Sequence, residues 1–104
     1  MKFISSAQLI EYLDKSDFVI IDIRESYERD ICKIKSIHIP MAEILKRVDE
    51  IPRDKSVVIY CKSGNRAQVL VNFLEKENNF SNLLVLEGGI MAWIDNIDKT
   101  LEKY

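Results

Sequence analysis

The stretch Ser56-Val-Val-Ile-Tyr60 followed by Cys61-Lys-Ser-Gly-Asn-Arg66 decides how this chain folds. Val57 to Tyr60 form an apolar run that suits a buried strand. Ala67 to Glu77 then runs at helical spacing. Between them sits a loop with Gly64 in its middle and cations at Lys62 and Arg66. A thiol at that junction faces the first unpaired N–H groups of the next helix and its positive dipole end. Such a setting favours thiolate, the reactive form of cysteine. The loop reads as a cradle for an anion attached to sulfur.

Working outward, Phe18 to Asp22 reads as a buried strand ending in an acid, and Leu83 to Leu86 as another. Ser36 to Pro40 alternates around Ile37 and Ile39 and reads as a short strand that Pro40 stops. Ser5 to Gln8 has the form of a capping box ahead of Leu9, Ile10 and Leu13. Ser26 to Ile31 reads as a short helical turn. Met41 to Glu50, with Ile44, Leu45 and Val48 on one face, reads as an amphipathic helix. The helix after the loop should bury Val69, Leu70, Phe73 and Leu74 and end at Asn78-Asn79, a pair that tolerates the left-handed conformation. Gly88-Gly89 opens a last apolar helix carrying Ile90, Met91, Trp93 and Ile94. Apolar strands alternating with amphipathic helices predict an α/β fold, a parallel sheet flanked by helices on both faces. Ligands of such sheets gather at the carboxyl ends of the strands, where Cys61 lies. The three glycines, Gly64, Gly88 and Gly89, could all serve that one edge, although ordinary turn chemistry accounts for Gly88-Gly89 equally well.

The 104 residues suffice for one domain, residues 1–104, with 47% apolar and 31% charged residues as in a soluble globular protein. A net charge of −2 advertises neither nucleic acid nor anionic membrane as a partner. No apolar run is long enough to span a bilayer, and Glu11 and Asp14 interrupt the place of a signal peptide's apolar region. The expected location is therefore the cytoplasm. Cys32 and Cys61 are too few for a disulfide scaffold, and their separation fits no zinc spacing, so neither metal nor cofactor is expected.

Three motifs in order and spacing resemble the single-domain rhodanese-type sulfurtransferases over residues 18 to 94. Cys61-Lys-Ser-Gly-Asn-Arg66 matches that family's active loop, C-x-x-G-x-R. Leu86-Glu-Gly-Gly-Ile-Met-Ala-Trp93 matches its closing motif. Ile21-Asp-Ile-Arg24 with Glu28 matches its acidic strand end, arginine and glutamate. The chain departs from the pattern at Cys32-Lys33-Ile34, where the family usually has Gly-His-Ile. It departs again at Ser36-Ile37, usually Gly-Ala, and at Ala67, often Ser.

The resemblance implies a thiosulfate sulfurtransferase with Cys61 as nucleophile and a persulfide carried on its sulfur. Covalent catalysis of this kind runs in two steps. Lys62, Ser63, Gly64, Asn65 and Arg66 would bind the donor, their backbone N–H groups forming a nest around the sulfur. The partners would be a small-molecule sulfur donor and a thiol or cyanide acceptor, with a sulfur-relay protein as a further candidate. Two alternatives stay open: a non-enzymatic persulfide carrier or docking module, and a cysteine phosphatase or arsenate reductase. The latter carry one more residue between cysteine and arginine than the four found here. Arg24 and Glu28, four apart, should pair locally as a clamp beside the strand end. Asp22 reads as a turn or capping acid, His38 and Trp93 as structural, and Cys32 as a passive substitution.

Overall fold

Val57, Val58, Ile59 and Tyr60 are all completely buried, as a polar-free run demands of a central parallel strand. In the computed structural model, which describes residues 1–104, this strand is β4 (Ser56–Tyr60). It lies between β2 (Phe18–Asp22) and β5 (Leu83–Leu86). β1 (Lys2–Ile4) borders β5 and β3 (Ile37–His38) borders β2, giving the order β1-β5-β4-β2-β3 with every pair parallel.

Alternation along β4 divides the core in two. Val57 and Ile59 pack with Cys61 against α3 (Asn65–Glu77) and the 3-10 segment Met41–Glu50. Val58 and Tyr60 pack on the opposite face with Leu9 of α1 (Ser6–Leu9) and Ile90, Trp93 and Ile94 of α4 (Gly89–Asn96). Helices thus cover both faces, as the sequence pattern requires. No helix is long and apolar enough to cross a membrane.

The capping box forms: Gln8 N–H donates to Ser5 Oγ at 3.1 Å, and Ser5 N–H donates to Gln8 Oε1 at 2.9 Å. Ser26–Ile31 is a short helix, α2. Asn79 adopts the left-handed conformation beyond α3, with φ of 58°. Other expectations need correction. Residues 41–50 are 3-10 turns, interrupted by a non-helical Arg47 (φ −122°, ψ 24°). With three residues per turn rather than 3.6, Ile44 is buried while its neighbour Leu45 swings outward. In α3 the buried stripe is Ala67, Leu70, Val71 and Leu74, the i, i+3, i+4, i+7 set, and Val69 and Phe73 are exposed. The third strand shrinks to Ile37–His38, and β1 was not anticipated at all.

Tyr60 ties β4 to the end of β2 and to the segment ahead of β3 at the carboxyl edge of the sheet. Its hydroxyl donates to Asp22 Oδ2 at 3.0 Å and accepts from Ile34 N–H at 3.2 Å, inside the core. Tyr60→Phe leaves that N–H without its partner, a loss of about 1–3 kcal/mol. Urea denaturation should therefore show a lowered midpoint at unchanged slope; an unshifted midpoint would show that water replaces the hydroxyl.

Candidate active site

The carboxyl ends of β2, β4 and β5 bring Arg24, Cys61 and Gly88-Gly89 to one edge of the sheet. Cys61 is 1% exposed, in phase with Val57 and Ile59 and so on the α3 side. Its sulfur accepts the Gly64 N–H at 3.1 Å. Gly64 has φ of 102°, a value that strains any residue with a Cβ, and it is the residue from which α3 starts. Lys62 and Ser63 N–H groups donate to no protein acceptor, and Asn65 and Arg66 lie in the first turn of α3, where no intrahelical acceptor exists. The loop thus leaves backbone donors without protein acceptors on both sides of the Gly64 N–H that meets the sulfur.

Gly88-Gly89 belongs to the same assembly. Ile90 N–H donates to Cys61 O at 2.9 Å and Met91 N–H to Lys62 O at 3.1 Å. A Cβ on Gly89 would fall 2.5 Å from Cys61 O and 2.4 Å from Lys62 O, closer than real contacts allow. The second glycine of the turn is thus dictated by the approach of the cysteine loop, which settles the alternative left open by spacing.

The charged side chains depart from the sequence reading. Arg24 turns from the Glu28 carboxylate to Asp22, with Nε–Oδ1 and Nη2–Oδ2 both at 2.9 Å. Asp22 is the turn acid expected, its Oδ1 accepting the Arg24 N–H at 3.0 Å, and it is also the buried counterion of Arg24 and takes Arg29 Nη1 at 3.1 Å. Burial raises the Asp22 carboxyl, but the Arg24 hydrogen bonds outweigh it and the net direction is down. Glu28 instead receives Arg66 in a two-pronged pair, Nη1–Oε1 2.8 Å and Nη2–Oε2 2.9 Å. Arg66 holds the Glu28 carboxyl down at about 2, and Glu28 in turn raises the Arg66 guanidinium. His38 is structural, its Nε2 hydrogen-bonded at 2.7 Å to Arg24 O.

Of the remaining loop residues, Ser63 and Asn65 point to solvent with side chains free of protein partners, and Lys62 is half-buried. The Lys62 ammonium sits 4.6 Å from the ring centroid of Tyr104. The Tyr104 hydroxyl donates to Glu28 Oε2 at 2.6 Å and accepts from Arg24 Nη1 at 3.0 Å. Sequence reasoning missed this tyrosine, since nothing local marks a residue that reaches back 76 positions to its acceptor. Cys32 is buried in the core on the α4 side, the opposite face from Cys61, and both thiols are free.

The rhodanese-like domain model matches residues 5–96. The chain belongs to the rhodanese-like domain family. It is 38% identical to a sulfurtransferase of Allochromatium vinosum, over 77% of this chain and 75% of that protein. It is 31% identical to the adenylyltransferase and sulfurtransferase UBA4 of Saccharomyces cerevisiae, over 90% of this chain but only 23% of that protein. The chain thus spans about a quarter of the length of the yeast relative. Among solved structures, a rhodanese-related protein from Thermoplasma volcanium superposes with a TM-score of 0.83 at 32% identity, covering 93% of this chain and 94% of that one.

Two outcomes follow for this rhodanese-like site. Gly89→Ala should cost more than about 2 kcal/mol, from strained backbone plus overlap with the loop carbonyls. A denaturation midpoint matching the parent would show that the close approach is dispensable. For Glu28, the folded carboxyl titrates near 2 against an ordinary 4.5. Its depressed value contributes stability that is complete above 4.5 and is lost as pH falls towards 2. Arg66 is more than one-third exposed. Glu28→Gln should therefore cost about 2 kcal/mol at neutral pH, less than a fully buried pair. The gap between variant and parent should close between pH 4.5 and 2; a gap constant across that range would remove the pair from the account.

Proposed function

We propose that the protein is a sulfurtransferase that moves a sulfane sulfur from thiosulfate, or a similar anionic donor, to a thiophilic acceptor through a persulfide on Cys61. The Gly64 N–H aimed at the Cys61 sulfur at 3.1 Å is the observation that carries this reading. The Cys61 thiolate attacks the outer sulfur of thiosulfate. A new S–S bond forms, the donor's S–S bond breaks, and the electron pair leaves with sulfite. Cyanide or a thiolate then attacks the outer sulfur of the persulfide, takes that atom away, and restores the Cys61 thiolate. No net oxidant is consumed, and sulfite needs no general acid to leave. That economy suits a site without an acid–base pair beside the sulfur.

In this scheme the unpartnered N–H groups at Lys62, Ser63, Asn65 and Arg66 join that of Gly64 in stabilising the terminal persulfide anion. Lys62 supplies most of the uncompensated positive charge for the donor, because Glu28 neutralises Arg66. The Ser63 hydroxyl and Asn65 amide, exposed at the mouth, meet the donor's oxyanion. The four residues between Cys61 and Arg66 form a ring sized for a sulfur atom rather than a phosphoryl group. The family match and the sulfurtransferase names of its relatives support the reaction class.

Incubation with thiosulfate should add one sulfur atom to the intact protein by mass spectrometry. Cys61→Ser should abolish both that adduct and thiocyanate production from cyanide, whereas Cys32→Ala should keep both. Turnover of a small aryl phosphate by the unaltered protein would instead favour the phosphatase alternative. Sulfur loading only from a partner desulfurase, and never from thiosulfate, would favour a carrier.

A further inference from the structure

The last turn of α4 releases the chain into a tail that folds back towards the cysteine loop. Thr100 caps onto the Asp98 carboxylate, Lys103 pairs with Asp95, and Leu101 packs on the α4-side core. These three ties deliver Tyr104 to the carboxyl edge of the sheet. Its hydroxyl meets Glu28 Oε2, the same oxygen that receives Arg66 Nη2 at 2.9 Å. The hydroxyl also accepts from buried Arg24, so two elements of the scaffold fix the ring. One face of that ring then carries the Lys62 ammonium at 4.6 Å from its centroid.

The partly buried ring packs on the α4-side core and lies 5.8 Å from the Arg24 guanidinium, and it also carries the ammonium of Lys62, a loop residue beside Cys61. A long lysine side chain in solvent samples many rotamers, and an aromatic face restricts them. Tyr104 Oη stays a donor to Glu28, since burial and the neighbouring carboxylate push its phenol up to about 12.

We propose that Tyr104 is a positioning residue: anchored through its hydroxyl to Glu28 and Arg24, its ring holds the Lys62 ammonium over the cysteine loop and so sets the site's preference for anionic sulfur donors. This rests on the sulfur-transfer reading above, but the charge placement is measurable without sulfur transfer. Iodoacetate and iodoacetamide alkylate the same thiolate and differ in charge. The ratio of their rates at Cys61, followed on the Cys61 peptide alone, reports positive charge held near the sulfur. Tyr104→Leu and Lys62→Gln should each lower the iodoacetate-to-iodoacetamide ratio about two- to fivefold, the scale of one cation–aromatic contact. Tyr104→Phe, which keeps the ring and loses its anchor, should fall between parent and Tyr104→Leu. In the Lys62→Gln background, Tyr104→Leu should add nothing. The KM for thiosulfate should rise by the same factor with kcat little changed.

A ratio unchanged or raised in Tyr104→Leu overturns the proposal, as does a drop that persists without Lys62. Should the leucine variant unfold, proton NMR of the unaltered protein decides. The Lys62 ε-methylene signals should be shifted upfield by the ring face, and random-coil positions overturn the assignment. If the ratios behave as expected while thiosulfate adds no sulfur to the unaltered protein, the sulfur-transfer reading fails and the placement of Lys62 by Tyr104 stands.

Discussion

A fully buried guanidinium governs the carboxyl edge of this sheet. Arg24 is 0% exposed, and a charge removed from water is tolerable only when its donors are all engaged. Nε and Nη2 meet the Asp22 carboxylate, Nη2 also reaches Cys32 O at 2.7 Å, and Nη1 reaches Glu28 O and the Tyr104 hydroxyl. Burial opposes the charge, but Asp22 outweighs it, and the guanidinium is more basic than usual. The energetic asymmetry is the important point. Removing one partner strands an ion in the core, whereas replacing the whole set by apolar groups would remove the cost with the benefit. The set is therefore held as a unit, and with it the path of the chain from the end of β2 through α2 to Cys32.

Everything nearer the thiol hangs from that unit. By fixing α2, Arg24 fixes the Glu28 carboxylate, which takes hold of Arg66 and so of the first turn of α3. Asp22 accepts the hydroxyl of Tyr60, the residue immediately before Cys61. Because successive strand residues face opposite ways, anchoring Tyr60 on one face directs Cys61 to the other. The thiol is thus positioned from both sides of the loop, through Tyr60 before it and Arg66 after it, by a cluster it does not touch.

Legibility from sequence followed the range of the interactions. The buried strands β2, β4 and β5 were readable because a run such as Val57 to Tyr60 has one stable environment. The strand–cysteine–glycine–helix junction was readable because its parts are contiguous. Where local spacing permitted two outcomes, the reading failed. Arg24 and Glu28 at i and i+4 suggested a pair, yet a carboxylate two residues away in a dry core outcompeted it. Residues 41–50 carried an amphipathic pattern that an α-helix and 3-10 turns share in part, and packing of Ile44 chose between them. Val69 and Phe73 were placed on one side of the helix with Leu70 and Leu74, whereas the stripe that α3 buries runs through Ala67, Leu70, Val71 and Leu74, a rotation that spacing alone does not fix. Tyr104 and the three-residue β1 depend on partners far along the chain, and their neighbours in sequence carry no trace of them.

The bonds from Ile90 and Met91 to the carbonyls of Cys61 and Lys62 have an electrostatic consequence. Two helices, α3 and α4, begin within contact of one loop, and each start is by nature an attractor for negative charge. The loop gives its Cys61 and Lys62 carbonyl oxygens to α4, engaging two of that helix's free donors. On the α3 side the Gly64 N–H donates to the Cys61 sulfur. One segment of six residues therefore carries a divided polarity, two oxygens given to α4 and the Gly64 N–H given to the sulfur. The start of α4 thus meets the loop through two donors that are already engaged, while the N–H of Gly64, from which α3 starts, is the donor given to the Cys61 sulfur.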